Sequence, residues 1–120
     1  MKGHGEVRFV WRKDVLFVEA FGPFNEVAVV QVAEAYLKQV EGQELESFSV
    51  VEIWDKHTLG SPEVMDKVGQ FWHYLQGTNC SALCIVVDSG IQKRLCEKLL
   101  PSIGRVFLSQ EEAEQWMTAN

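Results

Sequence analysis

Leu83 to Val87 form a five-residue run without a polar side chain, and this run restricts the fold more than any other feature of the chain. A strand of that kind has both faces covered, as central strands of parallel sheets do. Parallel neighbours need long crossover connections, normally helical. The flanking sequence supplies them. Upstream, Ser61-Pro62 reads as an N-cap followed by proline at the first helical position, with Glu63 in the first turn. The pattern predicts a helix to about Gln76, stopped by Gly77. Downstream, Ser89 and Gln92 have capping-box spacing ahead of a helix over Ile91 to Leu100, closed by Pro101 and Gly104. Arg105 to Leu108 then reads as a short strand, and Ser109 with Glu112 caps a terminal helix reaching about Met117.

The first half of the chain fits the same plan. Val7 to Trp11 and Val15 to Ala20 are β-rich runs separated by the polar turn Arg12-Lys13-Asp14, which is a hairpin signature. Gly22-Pro23 breaks the pattern. Asn25 caps a helix to about Val40, in which Val29, Ala33, Tyr36, Leu37 and Val40 recur at helical spacing before Gly42. After the acidic loop Glu41 to Glu46, Phe48 to Trp54 reads as a third strand. The order is β-β-α-β-α-β-α-β-α: an α/β fold with a mixed five-stranded sheet and four helices, in one domain spanning residues 1–120. No linker, internal repeat or low-complexity segment interrupts it.

Composition narrows the function. Seventeen acidic residues against eleven basic ones give a formal charge of −6, the wrong sign for a general nucleic-acid surface. Four basic residues, Lys93, Arg94, Lys98 and Arg105, nevertheless share one stretch with a single acid, Glu97. No apolar run approaches the ~18–20 residues that span a bilayer, and no apolar segment of the signal-peptide kind follows Met1 to Gly5. The three cysteines, Cys80, Cys84 and Cys96, lack C-x-x-C spacing, so reduced thiols in a cytoplasmic protein are expected. His4, His57 and His73 show no metal-ligand spacing. There is no phosphate loop, dinucleotide fingerprint, nucleophile elbow or nucleophile–base pair. The expectation is a non-enzymatic protein with no metal, cofactor or catalytic residue.

The helices offer a surface instead. With Val64 as origin and about 100° per residue, Val68, Phe71 and Leu75 lie within about 40°, whereas Met65 and Trp72 lie about 80–100° round. That arc is wide for a helix packed only on a sheet. In the first helix Val27 to Val30 are four consecutive apolar residues that cannot all face one core, and Phe21, Pro23 and Phe24 precede them. Phe24, Val27, Val30, Met65 and Trp72 are therefore the expected ligand-binding residues, lining a shared apolar crevice or interface for an amphiphilic small molecule, a partner or a second copy in a homodimer. A helix wedged between the sheet and a neighbouring helix explains the same arc without a ligand. Lys93, Arg94 and Lys98, beside Ile91, Leu95 and Leu99, make a basic amphipathic helix able to lie on an anionic membrane surface, or a plain solvated face. Asp55, Asp88 and Ser89, at the ends of the third and fourth strands, occupy the edge where open α/β sheets bind ligands, although Ser89 already has a capping role.

Two segments carry a family resemblance: Val15-Leu16-Phe17-Val18-Glu19-Ala20-Phe21-Gly22-Pro23, and Val106-Phe107-Leu108-Ser109-Gln110-Glu111-Glu112-Ala113-Glu114-Gln115-Trp116-Met117. The first resembles the strand running into "G-P" before the first helix of the STAS fold, and the second its final strand, cap and "EEA..W" helix. The chain resembles the SpoIIAA-like group of that family over nearly its whole length. The resemblance implies two roles. Anti-sigma-factor antagonists switch a protein partner by phosphorylating the serine of D-S-S-G at the second helix. The matching place here, Leu59-Gly60-Ser61-Pro62-Glu63, offers Ser61 as phosphoacceptor without the aspartate or the second serine. A second branch resembles lipid-binding folds of CRAL-TRIO-like architecture, and this chain is more similar to it.

Overall fold

The computed structural model describes residues 5–119; His4 and the segment considered for a leader, apart from Gly5, lie outside the described residues. Five strands form one sheet in the order β1 (Glu6–Arg12), β2 (Val15–Phe21), β3 (Phe48–Trp54), β4 (Cys80–Val86), β5 (Gly104–Phe107). The β1–β2 pair is antiparallel and every other pair is parallel. The hairpin turns in two residues, Lys13 and Asp14, with Lys13 in the left-handed region at φ 55°. The four helices are α1 (Glu26–Gly42), α2 (Pro62–Gln76), α3 (Gly90–Glu97) and α4 (Gln110–Ala119).

Strand order never reverses, so uniform right-handed crossovers put α1, α2 and α3 on one face of the sheet. The larger core lies under them, with Leu16, Val18, Val50, Leu83 and Ile85 of the sheet against Tyr36, Met65, Trp72, Leu75 and Cys96 of the helices. Helix α4 covers β4 and β5 on the opposite face, burying Ala113 against Val51, Cys84 and Val86. The apolar run of β4 is thus covered on both sides. Over β1 and β2 that second face is dressed by its own side chains: the guanidinium groups of Arg8 and Arg12 lie 5.1 and 5.2 Å from the ring centres of Phe21 and Phe17, a cation–π arrangement.

The helix caps are local chemistry. Asn25 accepts from the Ala28 N–H at 2.8 Å and Ser61 from the Val64 N–H at 3.2 Å. Ser89 and Gln92 close a reciprocal capping box. Some ends differ from the sequence reading. Helix α1 runs past Val40 to Gly42, and the Gln43 amide nitrogen donates to the Val40 carbonyl at 3.1 Å. Helix α3 stops at Glu97 instead of Leu100, because Leu99 N–H bonds back only three residues to Cys96. Strand β4 starts at Cys80, ahead of the apolar run, with an irregular register against Phe48 and Ser49.

Cys80, Cys84 and Cys96 are free and buried. Burial pushes the Cys80 thiol up to about 11 and the Cys84 thiol up to about 12, and raises Cys96 as well. Thiolate is the reactive form, so a maleimide reagent at pH 8 is expected to leave all three unlabelled in the native protein and to label all three in denaturant. Rapid native labelling of Cys84 would contradict its place in the core.

Candidate functional site

The third strand carries a charged residue into the core. Glu52 shares a pleat face with Val50 and Trp54, so the period-two geometry points it at the helices. Its neighbours in the flanking strands are Val18 and Ile85, and it is 5% exposed. Burying a carboxyl group in apolar surroundings is costly unless it is hydrogen-bonded. Three donors meet it. The Tyr36 hydroxyl of α1 and the Trp72 indole N–H of α2 both donate to Oε2 at 2.8 Å, and the Trp54 indole N–H donates to Oε1 at 3.1 Å. Burial raises the Glu52 carboxyl above its ordinary range, and the three hydrogen bonds only partly offset that. Burial, with Glu52 next to it, pushes Tyr36 well above the ordinary phenol value.

An apolar cavity of about 70 Å³ opens beside this cluster, between α1 and α2 above the sheet. Val18 and Ala20 of β2 and Glu52 and Trp54 of β3 form its floor. Val29, Val32, Ala33 and Tyr36 form the α1 wall. Val64, Met65, Val68, Phe71 and Trp72 form the α2 wall, with Lys67 at the rim. Aromatic rings crowd it: Tyr36 and Phe71 lie 4.4 Å apart between centres, and Trp54 and Trp72 lie 6.0 Å apart.

Phe24, from the segment between β2 and α1, also lines the cavity. Its N–H donates to the Leu59 carbonyl at 2.9 Å, tying the segment after β2 to the loop before α2. That approach requires glycine at position 22, where a β-carbon would lie 2.5 Å from the His57 carbonyl oxygen and 2.6 Å from Thr58 Cα. Asp55 holds the same loop. Its Oδ1 accepts from the Thr58 hydroxyl at 2.7 Å and from the N–H groups of His57 and Gly22 at 2.9 and 3.3 Å. Burial opposes its charge, but these hydrogen bonds outweigh that and hold the carboxyl below its ordinary range. Gln92, fully buried, donates to the carbonyls of Asp55 and Thr58 at 2.8 and 3.1 Å. Asp55 and Ser89 therefore work in loop and cap positions outside the cavity lining.

Of the expected ligand-binding residues, Phe24, Met65 and Trp72 line the cavity, and the last two are also core. Val27 and Val30 lie outside this lining, 40% and 43% exposed on the surface of α1. The inward stripe of α1 runs through buried Val29, Tyr36 and Val40, with half-buried Ala33 between them. At about 100° per residue Val30 stands about 100° from Val29 and Val27 about 160°. Ser61 is exposed and serves as the α2 cap. Ser61→Ala is expected to lower stability by about 0.5–2 kcal/mol through loss of that cap, read by urea unfolding. Lys93 is half-buried, and Arg94 and Lys98 are exposed near Ile91, which is 65% exposed.

Glu52, Tyr36 and Trp54 were missed as site residues by sequence reasoning. The available signal was a lone acid inside Phe48-Ser49-Val50-Val51-Glu52-Ile53-Trp54, on the pleat face shared with Val50 and Trp54.

No protein-family model matches the chain, and no curated protein matches it. Among solved structures it is similar to an uncharacterized protein of the DUF3478 family with a SpoIIAA-like fold from Shewanella loihica PV-4, with a TM-score of 0.63 and 15% sequence identity. The match covers 97% of this chain and 95% of that one. Identity that low speaks for the fold and is silent on ligand or partner. Sheet, helices and near-complete coverage agree with the STAS resemblance: the chain has a SpoIIAA-like fold.

Proposed function

We propose that this is a non-enzymatic binding domain of regulatory type that takes a small apolar ligand between α1 and α2. The observation that carries this reading is the apolar cavity walled by those two helices, since a well-formed apolar pocket with few polar groups is the usual form of a small-molecule site. Three free buried thiols agree with a reducing cytoplasmic setting. Titration with 1-hexanol, followed by tryptophan fluorescence, tests it. Saturable binding is expected, and Ala33→Leu, which fills the α1 wall, should weaken it by about tenfold or more. Unsaturable binding, or binding indifferent to Ala33→Leu, would overturn the reading.

A membrane-surface role for α3 is the second reading, favoured by the exposure of Ile91 next to Lys93 and Arg94. The double substitution Lys93→Glu, Arg94→Glu is then expected to reduce sedimentation with phosphatidylserine vesicles at low salt, where such attraction is strongest. Unchanged sedimentation would leave α3 as a solvated face. A phosphoserine switch of the anti-sigma-antagonist kind at Ser61 has less support. Glu63, two residues on, shares a hydrogen bond with Glu26 that raises its carboxyl. A phosphate on Ser61 would add negative charge near that acidic pair.

A further inference from the structure

Resting on the apolar-ligand reading, the structure also carries a statement about the ligand's polar end. The cavity has one buried acid in its floor and, among the described lining residues, no buried base. Glu52 accepts two hydrogen bonds on Oε2 and one on Oε1. A carboxylate has about four acceptor positions, so Oε1 keeps room for one further donor. The groups around it present ring faces and edges: Tyr36, Phe71, Trp54 and Trp72 all line the same space. A buried carboxylate among aromatic rings attracts a cation by charge and by cation–π contact together. It repels a carboxylate or phosphate head, which would place a second negative charge in a water-poor site. The one basic group among the described lining residues, Lys67, is exposed at the rim, where solvent and salt screen its charge.

Size points the same way. The space of about 70 Å³ is smaller than the roughly 150 Å³ that accommodates benzene in an engineered apolar cavity. It suits a compact ammonium head better than a bulky one. The apolar body would then lie along the half-buried wall residues Val32 and Ala33 of α1 and Val68 and Phe71 of α2. We propose that the site takes a primary ammonium ion with a short apolar body, its N–H donating to Oε1 of Glu52.

Three probes of equal length separate this inference from the reading it rests on: hexylammonium, 1-hexanol and hexanoate, each titrated at neutral pH by calorimetry. Hexylammonium is expected to bind at least about tenfold more tightly than 1-hexanol, as suits an added charged hydrogen bond, and hexanoate weakest of the three. Glu52→Gln is expected to abolish the preference for the amine while 1-hexanol still binds. Hexanol or hexanoate binding as tightly as the amine would overturn the cationic head and leave the apolar site standing. Binding of none of the three would overturn both. The wild-type series decides the matter even if Glu52→Gln does not fold. In a folded Glu52→Gln protein, an unchanged amine preference would equally overturn the assignment to Glu52.

Discussion

Truncating Trp72 to alanine is expected to cost about 3–5 kcal/mol of stability, the range for deleting a large buried aromatic. Trp72 is 1% exposed. Its ring packs 6.0 Å from that of Trp54, and its indole N–H donates to Glu52 at 2.8 Å. The substitution removes packing on one side of the cavity and one of the three donors that solvate a buried carboxyl group. Urea unfolding measures the loss, and a cost below about 1 kcal/mol would mean that the side chain does not fill the core. The pairing with ligand binding matters more. Trp72 and Met65 are core and cavity wall at once, so Trp72→Ala should also alter 1-hexanol affinity. A large stability loss with unchanged affinity would make the wide apolar arc of α2 ordinary core. Support for the ligand site would then rest on α1 alone.

Much of the architecture was legible because its causes are local. Ser61, Ser89 and Ser109 mark helix starts by capping. The uninterrupted apolar stretch of β4 marks a strand covered on both faces, and α4 is what covers the second one. The glycine stops at Gly42 and Gly77 held, whereas α3 ends at Glu97, short of Leu100, where the backbone tightens to a three-residue hydrogen bond. The site was legible only in part, for a different reason. Helical spacing identified Met65 and Trp72 as lying off the main stripe of α2. It could not say which of the four α1 residues Val27 to Val30 turns inward, because that depends on where the helix rests on the sheet. The answer is Ala28 and Val29. The polar centre was harder still. Tyr36, Glu52 and Trp72 come from α1, β3 and α2, each separated from the next by 16 or 20 residues. Each looks unremarkable in its own segment, and only the continuous strand order that puts both helices on one face brings them together.

Replacing Glu52 by alanine should be as damaging as any single change in the chain. It strands the Tyr36 hydroxyl and two indole N–H groups in the core, and each unsatisfied donor costs about 1–3 kcal/mol. A total near 3–5 kcal/mol is expected, as for removing one partner of a buried charged cluster. Glu52→Gln keeps an acceptor on one side and presents an N–H₂ on the other, so it should cost less. Its pH dependence decides which physical effect rules the site. The folded-state carboxyl lies above its ordinary value of 4.5 because burial outweighs the three hydrogen bonds. The folded protein therefore holds the proton more tightly than the unfolded chain does. By linkage, the resulting stabilisation is fully present below the unfolded value and is lost as pH rises through the folded one. The stability gap between wild type and Glu52→Gln is therefore expected to be widest near pH 4 and to narrow as pH rises above about 4.5. The titratable neighbours Tyr36, Cys80 and Cys96 are all pushed upward, so none of them titrates in that window. Urea unfolding of both proteins from pH 4 to pH 8 measures the gap. Should it widen with pH instead, the three donors outweigh desolvation at this site.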